Sequence, residues 1–207
     1  MKEQQAKLAL VQAGKSLFQR GYATGTAGNL SLLLDDGSVL VTPTNSCLGE
    51  LTVDMLSKVT LNGEHIGGNK PSKETKFHLS IYHNNPKCKA IVHLHSLYLT
   101  ALSCLSDLNM SNAIKPFTPY IIMKVGDLPV VPYYRPGDTR IAEQLAALAP
   151  NHKAFLLANH GAVSTGSDLN DAMSSYEELE ETAKLIFILK GENIRYLTDH
   201  EINELKG

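Results

Sequence analysis

Apolar residues recur at helical spacing near the start of the chain, at Leu8, Val11, Leu17 and Phe18, and Gly21 supplies a stop. That pattern predicts a helix over 4–20. Two short apolar runs follow, 30–34 and 39–42, separated by Asp35-Asp36-Gly37, which predicts a hairpin. Residues 52–56 suggest a helical turn, and 58–61 a strand ended by Asn62-Gly63. The spacing over 73–83 predicts a helix capped by Ser72. A strand over 90–95 and a helix over 97–105 come next. The runs 121–125 and 130–132 predict further strands, 139–148 a helix and 154–158 a strand. A long helix over 172–189 carries a charged face of Glu177, Glu178, Glu180 and Glu181, and the last residues read as a short tail. Strands and helices interleave, with some strands in hairpins, so the fold class is α/β with a mixed sheet covered by helices. No repeat, linker or low-complexity stretch divides residues 1–207, which suits a single domain.

A net charge of −2 provides no basic stripe for nucleic acid. The start, Met1-Lys2-Glu3-Gln4-Gln5, is too polar for a secretory signal, and no apolar run approaches a membrane span. Cys47, Cys88 and Cys104 are odd in number and lack Cys-x-x-Cys spacing. They are expected to be reduced thiols of a cytoplasmic protein.

The chemistry concentrates in histidine. His93 and His95 flank one leucine in Ala90-Ile91-Val92-His93-Leu94-His95, so on a strand both imidazoles leave the same face. Paired histidines in an apolar setting need a partner, and a divalent metal is a common one. His160 closes a second apolar run, and Glu74 sits before a helical stretch. Three imidazoles and a carboxylate fit a catalytic zinc site; manganese, nickel and cobalt stay open from spacing alone. Glu74 taken singly is also an ordinary acid of a first helical turn. His65, His78, His83, His152 and His200 lack a partner at ligand spacing and read as structural. Three small polar segments, Gly28-Asn29-Leu30-Ser31, Thr44-Asn45-Ser46 and Pro71-Ser72-Lys73, have the groups that bind phosphate, and each is equally a plain turn. No Walker loop or dinucleotide glycine pattern is present, which argues against ATP or NAD.

Taken in order, Gly25-Thr26-Ala27-Gly28-Asn29-Leu30-Ser31, Thr42-Pro43-Thr44, Pro71-Ser72-Lys73-Glu74, His93-Leu94-His95 and Asn159-His160-Gly161 resemble the class II aldolase/adducin family over about the whole chain. The resemblance implies a three-layer α/β/α domain with a mainly antiparallel central sheet. It implies metal ligands at His93, His95 and His160, with Glu74 joining when substrate is absent and otherwise acting as acid or base. Family members often form cyclic tetramers with active sites at subunit contacts. Asn29, Thr44, Asn45, Ser72 and Lys73 match phosphate-holding positions, with two departures: the aldolases have glycine at Asn45 and serine at Lys73. Lys73 can still meet phosphate as a point charge, or meet a substrate carboxylate. The family's tyrosine from a neighbouring subunit has its nearest counterpart in Tyr120, offset by two residues when aligned on Met123. On a strand that offset keeps the face. Three segments, Tyr133-Tyr134-Arg135-Pro136-Gly137-Asp138, Leu157-Ala158-Asn159-His160-Gly161 and Glu177-Glu178-Leu179-Glu180-Glu181-Thr182-Ala183-Lys184, resemble the branch that decarboxylates 3-oxo-tetronate 4-phosphate to dihydroxyacetone phosphate. Sugar-phosphate aldol cleavage, ribulose-phosphate 4-epimerisation and a non-catalytic adducin-like interaction role are the alternatives within the family.

Overall fold

A computed structural model describes residues 2–206. Its strands are β1 (Asn29–Leu33), β2 (Val39–Val41), β3 (Ser57–Val59), β4 (His65–Gly67), β5 (Ala90–Leu94), β6 (Val130–Val131), β7 (Ala154–Leu157) and β8 (Gly161–Gly166). They form one sheet in the order β4-β3-β2-β1-β5-β8-β7-β6. Every neighbouring pair is antiparallel except β6 with β7. The helices are α1 (Glu3–Gln19), α2 (Thr75–Asn84), α3 (Leu97–Ser103), α4 (Pro119–Lys124), α5 (Thr139–Leu148), α6 (Leu169–Ile188) and α7 (Asp199–Lys206). None is long and apolar enough to cross a membrane among the described residues.

The pleat of β5 explains the three layers. Ala90, Val92 and Leu94 join one core with Leu10 and Leu17 of α1, Leu99 of α3, Ile121 of α4 and Tyr176 of α6. Ile91, one position out of phase, joins the opposite core with Phe77 and Ile81 of α2 and Leu145 of α5. His93 shares that phase and meets the ring of Phe77 edge-on at 5.4 Å. Each fully buried leucine or isoleucine in these cores stabilises the fold by about 1.5–3 kcal/mol. The α/β class and the mainly antiparallel sheet follow the sequence expectation.

Several elements differ from it. The run 121–125 is helical rather than extended, because Pro119 opens α4 at its first turn and Ile121, Ile122 and Val125 then fall on one buried helical face. Tyr120 therefore lies on a helix, where a two-residue offset turns a side chain by about 200° and the same-face argument fails. Helix α2 begins at Thr75, not at 73, and Ser72 does not cap it. Instead the Ser72 hydroxyl accepts the Glu74 N–H at 3.2 Å and its carbonyl accepts the Thr75 N–H at 3.1 Å, closing a turn. Residues 52–56 form a turn, with a single 3-10 turn just before it at Leu48–Glu50. Strands β4 and β8 and helix α7 have no counterpart in the hydrophobic pattern: β4 is exposed, α7 has no buried residue, and β8 is built from small residues between two glycines.

Glu180 also departs from its expected solvated face. Glu177 pairs with Arg20 at 2.6 Å and Glu181 with Lys184 at 3.6 Å, whereas Glu180 turns inward and is buried. It accepts from Ser96 Oγ at 2.6 Å and from the N–H groups of Tyr98 and Leu99 at 2.9 Å each. A carboxylate from α6 thus satisfies the orphan amides at the start of α3. Beside it, the Tyr176 hydroxyl lies 2.9 Å from both Leu94 O and Ser96 Oγ. This lattice pins the end of β5 from behind. Glu180→Ala removes the acceptor of two backbone N–H groups and of the Ser96 hydroxyl and is expected to lower unfolding free energy by about 2–4 kcal/mol in urea titration. A loss below about 0.5 kcal/mol, the usual size for a surface change, would contradict the assignment.

Candidate metal centre

The end of β5, the β7–β8 turn and the start of α2 meet at one point. His93 lies on β5, which ends one residue short of the predicted strand; His95 is the first residue past that end, and the two Nε2 atoms lie 3.1 Å apart. His160 arrives from the three-residue turn between Leu157 and Gly161, which pair as the closing residues of the β7–β8 hairpin. Asn159 takes the left-handed conformation there, φ 55°, and its N–H binds Ser103 O at 2.9 Å while the His160 N–H binds Ser103 Oγ at 3.1 Å. Asparagine tolerates that backbone well, so the turn reverses without strain. Glu74 reaches in from the turn before α2, with Oε2 3.3 Å from His93 Nε2 and Oε1 3.3 Å from His160 Nε2. One donor atom from each of the four residues lies within 4.8 Å of the other three.

These residues fit a cation. In a tetrahedral site with bonds of about 2.0–2.1 Å, neighbouring ligand atoms lie about 3.3–3.4 Å apart. The contacts of 3.1 and 3.3 Å are close to that spacing. His93 is fully buried and its Nδ1–H donates to Ala162 O at 2.9 Å, which leaves the Nε2 lone pair directed at the cluster. Two imidazole lone pairs facing each other repel unless a proton or a cation lies between them.

The titration of the cluster without a cation shows the same tension. Burial pushes the Glu74 carboxyl up, but the charges of His93 and His160 and their hydrogen bonds outweigh it and hold it well below the usual carboxylate range. Burial pulls His93 down and Glu74 more than restores it, so His93 ends raised. His95 is lowered to about 3 by burial and then by the charges of His93 and His160.

The remaining sequence candidates divide. Asn29 is buried, and its amide donates to Glu74 Oε2 at 2.6 Å, with a longer 3.5 Å approach to Ser72 Oγ. Ser72 and Thr44 are half-buried, while Asn45 and Lys73 are exposed, Asn45 with φ 56°. An isolated bridge joins Pro43 and Pro71, and the Thr44 N–H binds Lys70 O at 3.0 Å, so these two loops lie side by side. Lys73 lines an open cavity of about 490 Å³ with Lys76 and Arg135. Tyr120 is 58% exposed and stands outside the four-residue cluster. His78, set aside as structural, is fully buried and touches Asn29: its Nε2 lies 2.6 Å from Asn29 Oδ1. Its one signal in the sequence is its place four residues after Glu74, one helical turn along.

His78 is lowered to about 3, by burial first and the charge of His93 second. Its ordinary value is 6.5, so between 6.5 and about 3 the unfolded chain binds a proton that the folded chain refuses. Stability is therefore full above that window and falls as pH drops through it. The slope reaches about 1.4 kcal/mol per pH unit for one such group. Urea unfolding of metal-stripped protein is expected to give a lower midpoint at pH 5 than at pH 7, with the difference reduced in His78→Gln. A pH dependence left unchanged in His78→Gln would contradict the buried neutral state.

The chain as a whole resembles known proteins. The class II aldolase and adducin N-terminal domain matches residues 8–187. A 3-oxo-tetronate 4-phosphate decarboxylase of Pectobacterium atrosepticum is 68% identical over 203 residues, covering 98% of this chain and 93% of that protein. A protein of the same name from Escherichia coli strain K12 is 61% identical, over 99% and 97% of the two chains. Among solved structures, YgbL of Klebsiella pneumoniae superposes with a TM-score of 0.98 at 65% identity, over 99% of both chains. An L-fuculose 1-phosphate aldolase superposes at 0.88 with 29% identity, over 98% of this chain and 94% of that one. With its sheet, its three-histidine cluster and a domain match over most of its length, the chain belongs to the class II aldolase and adducin family.

Proposed function

We propose that this chain is a metal-dependent carboxy-lyase that converts a 3-oxo-tetronate 4-phosphate to dihydroxyacetone phosphate and carbon dioxide. The observation that carries the reading is the convergence of Glu74 with His93, His95 and His160 at one point, in a chain whose full-length relatives bear that name. An all-imidazole set with one carboxylate and no thiolate suits zinc. A divalent cation held by the three histidines supplies Lewis-acid stabilisation for negative charge that develops on the substrate oxygens.

The chain's own residues do the rest. The bond from the carboxylate carbon to the hydroxyl-bearing carbon breaks, carbon dioxide leaves, and the electron pair spreads into the neighbouring carbonyl as an enediolate. Glu74 then delivers a proton to the hydroxyl-bearing carbon and is reprotonated from solvent. Contact with His93 and His160 is what holds Glu74 ionised; away from them burial alone pushes a carboxyl up, the condition under which it carries a proton. Asn29, Thr44, Asn45, Ser72 and Lys73 surround the phosphate, supported by the adjacency of their loops. Lys73, Lys76 and Arg135 outnumber Asp138 in the lining of the cavity they share, and the excess of positive charge suits a substrate with two anionic ends. Tyr120, with exposed Met123 and Leu97, serves a contact between subunits of a homotetramer, where the tyrosine reaches a neighbour's site. Three free cysteines support a reducing, cytoplasmic setting.

Metal-loaded protein incubated with 3-oxo-tetronate 4-phosphate is expected to release carbon dioxide and dihydroxyacetone phosphate in equal amounts, and a chelator to stop it. Glu74→Gln is expected to lower kcat by about 10²–10⁴-fold. Aldehyde formation from a sugar phosphate without carbon dioxide would instead assign an aldolase, and full activity in Glu74→Gln would remove the proton-donor role.

A further inference from the structure

Behind Glu74 runs a buried chain of hydrogen bonds that ends on its carboxylate. Tyr82 OH lies 2.7 Å from Ser31 Oγ, Ser31 Oγ 2.7 Å from His78 Nδ1, His78 Nε2 2.6 Å from Asn29 Oδ1, and Asn29 Nδ2 2.6 Å from Glu74 Oε2. Ser31, His78, Tyr82 and Asn29 are all buried, which removes water as a substitute partner. Strand β1 contributes Asn29 and Ser31, two residues apart on one face, and α2 contributes His78 and Tyr82, one turn apart.

The links nearest Glu74 admit only one assignment of hydrogens. An ionised carboxylate only accepts, so Asn29 must present its NH₂ to Glu74 and its oxygen to His78. That oxygen requires an N–H at His78 Nε2. A neutral imidazole has a single N–H, so Nδ1 is an acceptor and takes the Ser31 hydroxyl. Ser31 in turn accepts from Tyr82, whose phenol burial keeps protonated. Every donor thus points toward Glu74, and each bond polarises the next.

We infer that His78 is a positioning residue for Glu74: through Asn29 it holds the carboxylate in place beside the imidazole cluster. This rests on the role of Glu74 proposed above. Without the His78 N–H, the buried Asn29 oxygen loses its partner and the amide is held only from the Glu74 side, so its orientation is no longer fixed from both ends. A flipped amide would put an oxygen against a carboxylate oxygen at hydrogen-bond distance, and the carboxylate would have to move away. A merely structural histidine would matter only for filling space and stacking on Phe77, which it meets at 4.8 Å between ring centres. Leucine fills much of that space but has no N–H, whereas the amide nitrogen of glutamine can stand where Nε2 stands.

The test uses full-length protein loaded with cobalt(II), whose visible spectrum reports the ligand field directly, alongside steady-state turnover of 3-oxo-tetronate 4-phosphate. His78→Leu is expected to lower kcat by about 10–100-fold, the cost typical of losing an outer-shell partner, with KM nearly unchanged and a shifted cobalt spectrum. His78→Gln should restore both spectrum and kcat close to wild type. Ser31→Ala, which leaves His78 in place but frees Nδ1, should fall between them and serves if His78→Leu does not fold. The inference is overturned if His78→Leu keeps wild-type kcat and spectrum, or if His78→Gln is as impaired as His78→Leu. Failure of the reaction assignment looks different: wild-type protein would then not turn over this substrate, while the cobalt spectra of the variants would still decide the relay.

Discussion

Four side chains that repel or titrate one another when left alone are forced to one point, and the rest of the fold is arranged around that constraint. His93 is fully buried with one nitrogen spent on Ala162 O, so its other nitrogen has nowhere to turn. His95 and Glu74 meet it at 3.1 and 3.3 Å. Such a cluster opposes folding unless its charges are balanced, and a divalent cation balances them better than shared protons do. The same imbalance gives the site its chemistry, since ligands already in place need little reorganisation when charge develops on a substrate.

The sheet supplies the precision. Strand β5 is paired on both sides, with β1 and β8, so its end cannot drift within the plane. The backbone approaches are close enough to require glycine. A Cβ on Gly28, at φ 85°, would lie 2.8 Å from His93 O, and one on Gly161 would lie 2.6 Å from Leu94 O and 3.2 Å from the His95 ring. From behind, Glu180 and Tyr176 tie the turn from β5 into α3 to helix α6. From the side, Asn29 sits opposite His93 in the β1–β5 register and links one imidazole strand to the carboxylate. The functional centre is thus built from backbone pairing first and side-chain hydrogen bonds second.

What the sequence made legible follows the same division. The two-residue spacing of His93 and His95 is a strand property, and it placed both rings on one face without any knowledge of the neighbours. His160 and Glu74 were candidates by residue type and local setting alone until the family resemblance joined them to the pair, because positions 65 residues after His95 and 19 before His93 carry no periodic signal that links them. Strand β8 was hidden because its side chains are small: packing against β5 and the start of α6 excludes bulk, so the usual apolar signature is absent from a wholly buried strand. Residues 121–125 misled for the converse reason, since β-branched residues fit a helix once Pro119 starts it and tertiary packing rewards one face. Glu180 was unreadable, and His78 had only its place one helical turn after Glu74. Each is a polar residue on an amphipathic helix, and whether it faces water or a buried partner depends on elements distant in sequence, the start of α3 for Glu180 and strand β1 for His78.

The central claim is that one cation occupies the space between these four side chains. Anomalous diffraction from crystals of the metal-loaded protein tests it most directly. The account predicts a single strong peak bonded to the Nε2 atoms of His93, His95 and His160 at about 2.0–2.1 Å, with a Glu74 oxygen completing the set in the absence of substrate. A peak elsewhere, or imidazoles that turn apart with no ion among them, would contradict it.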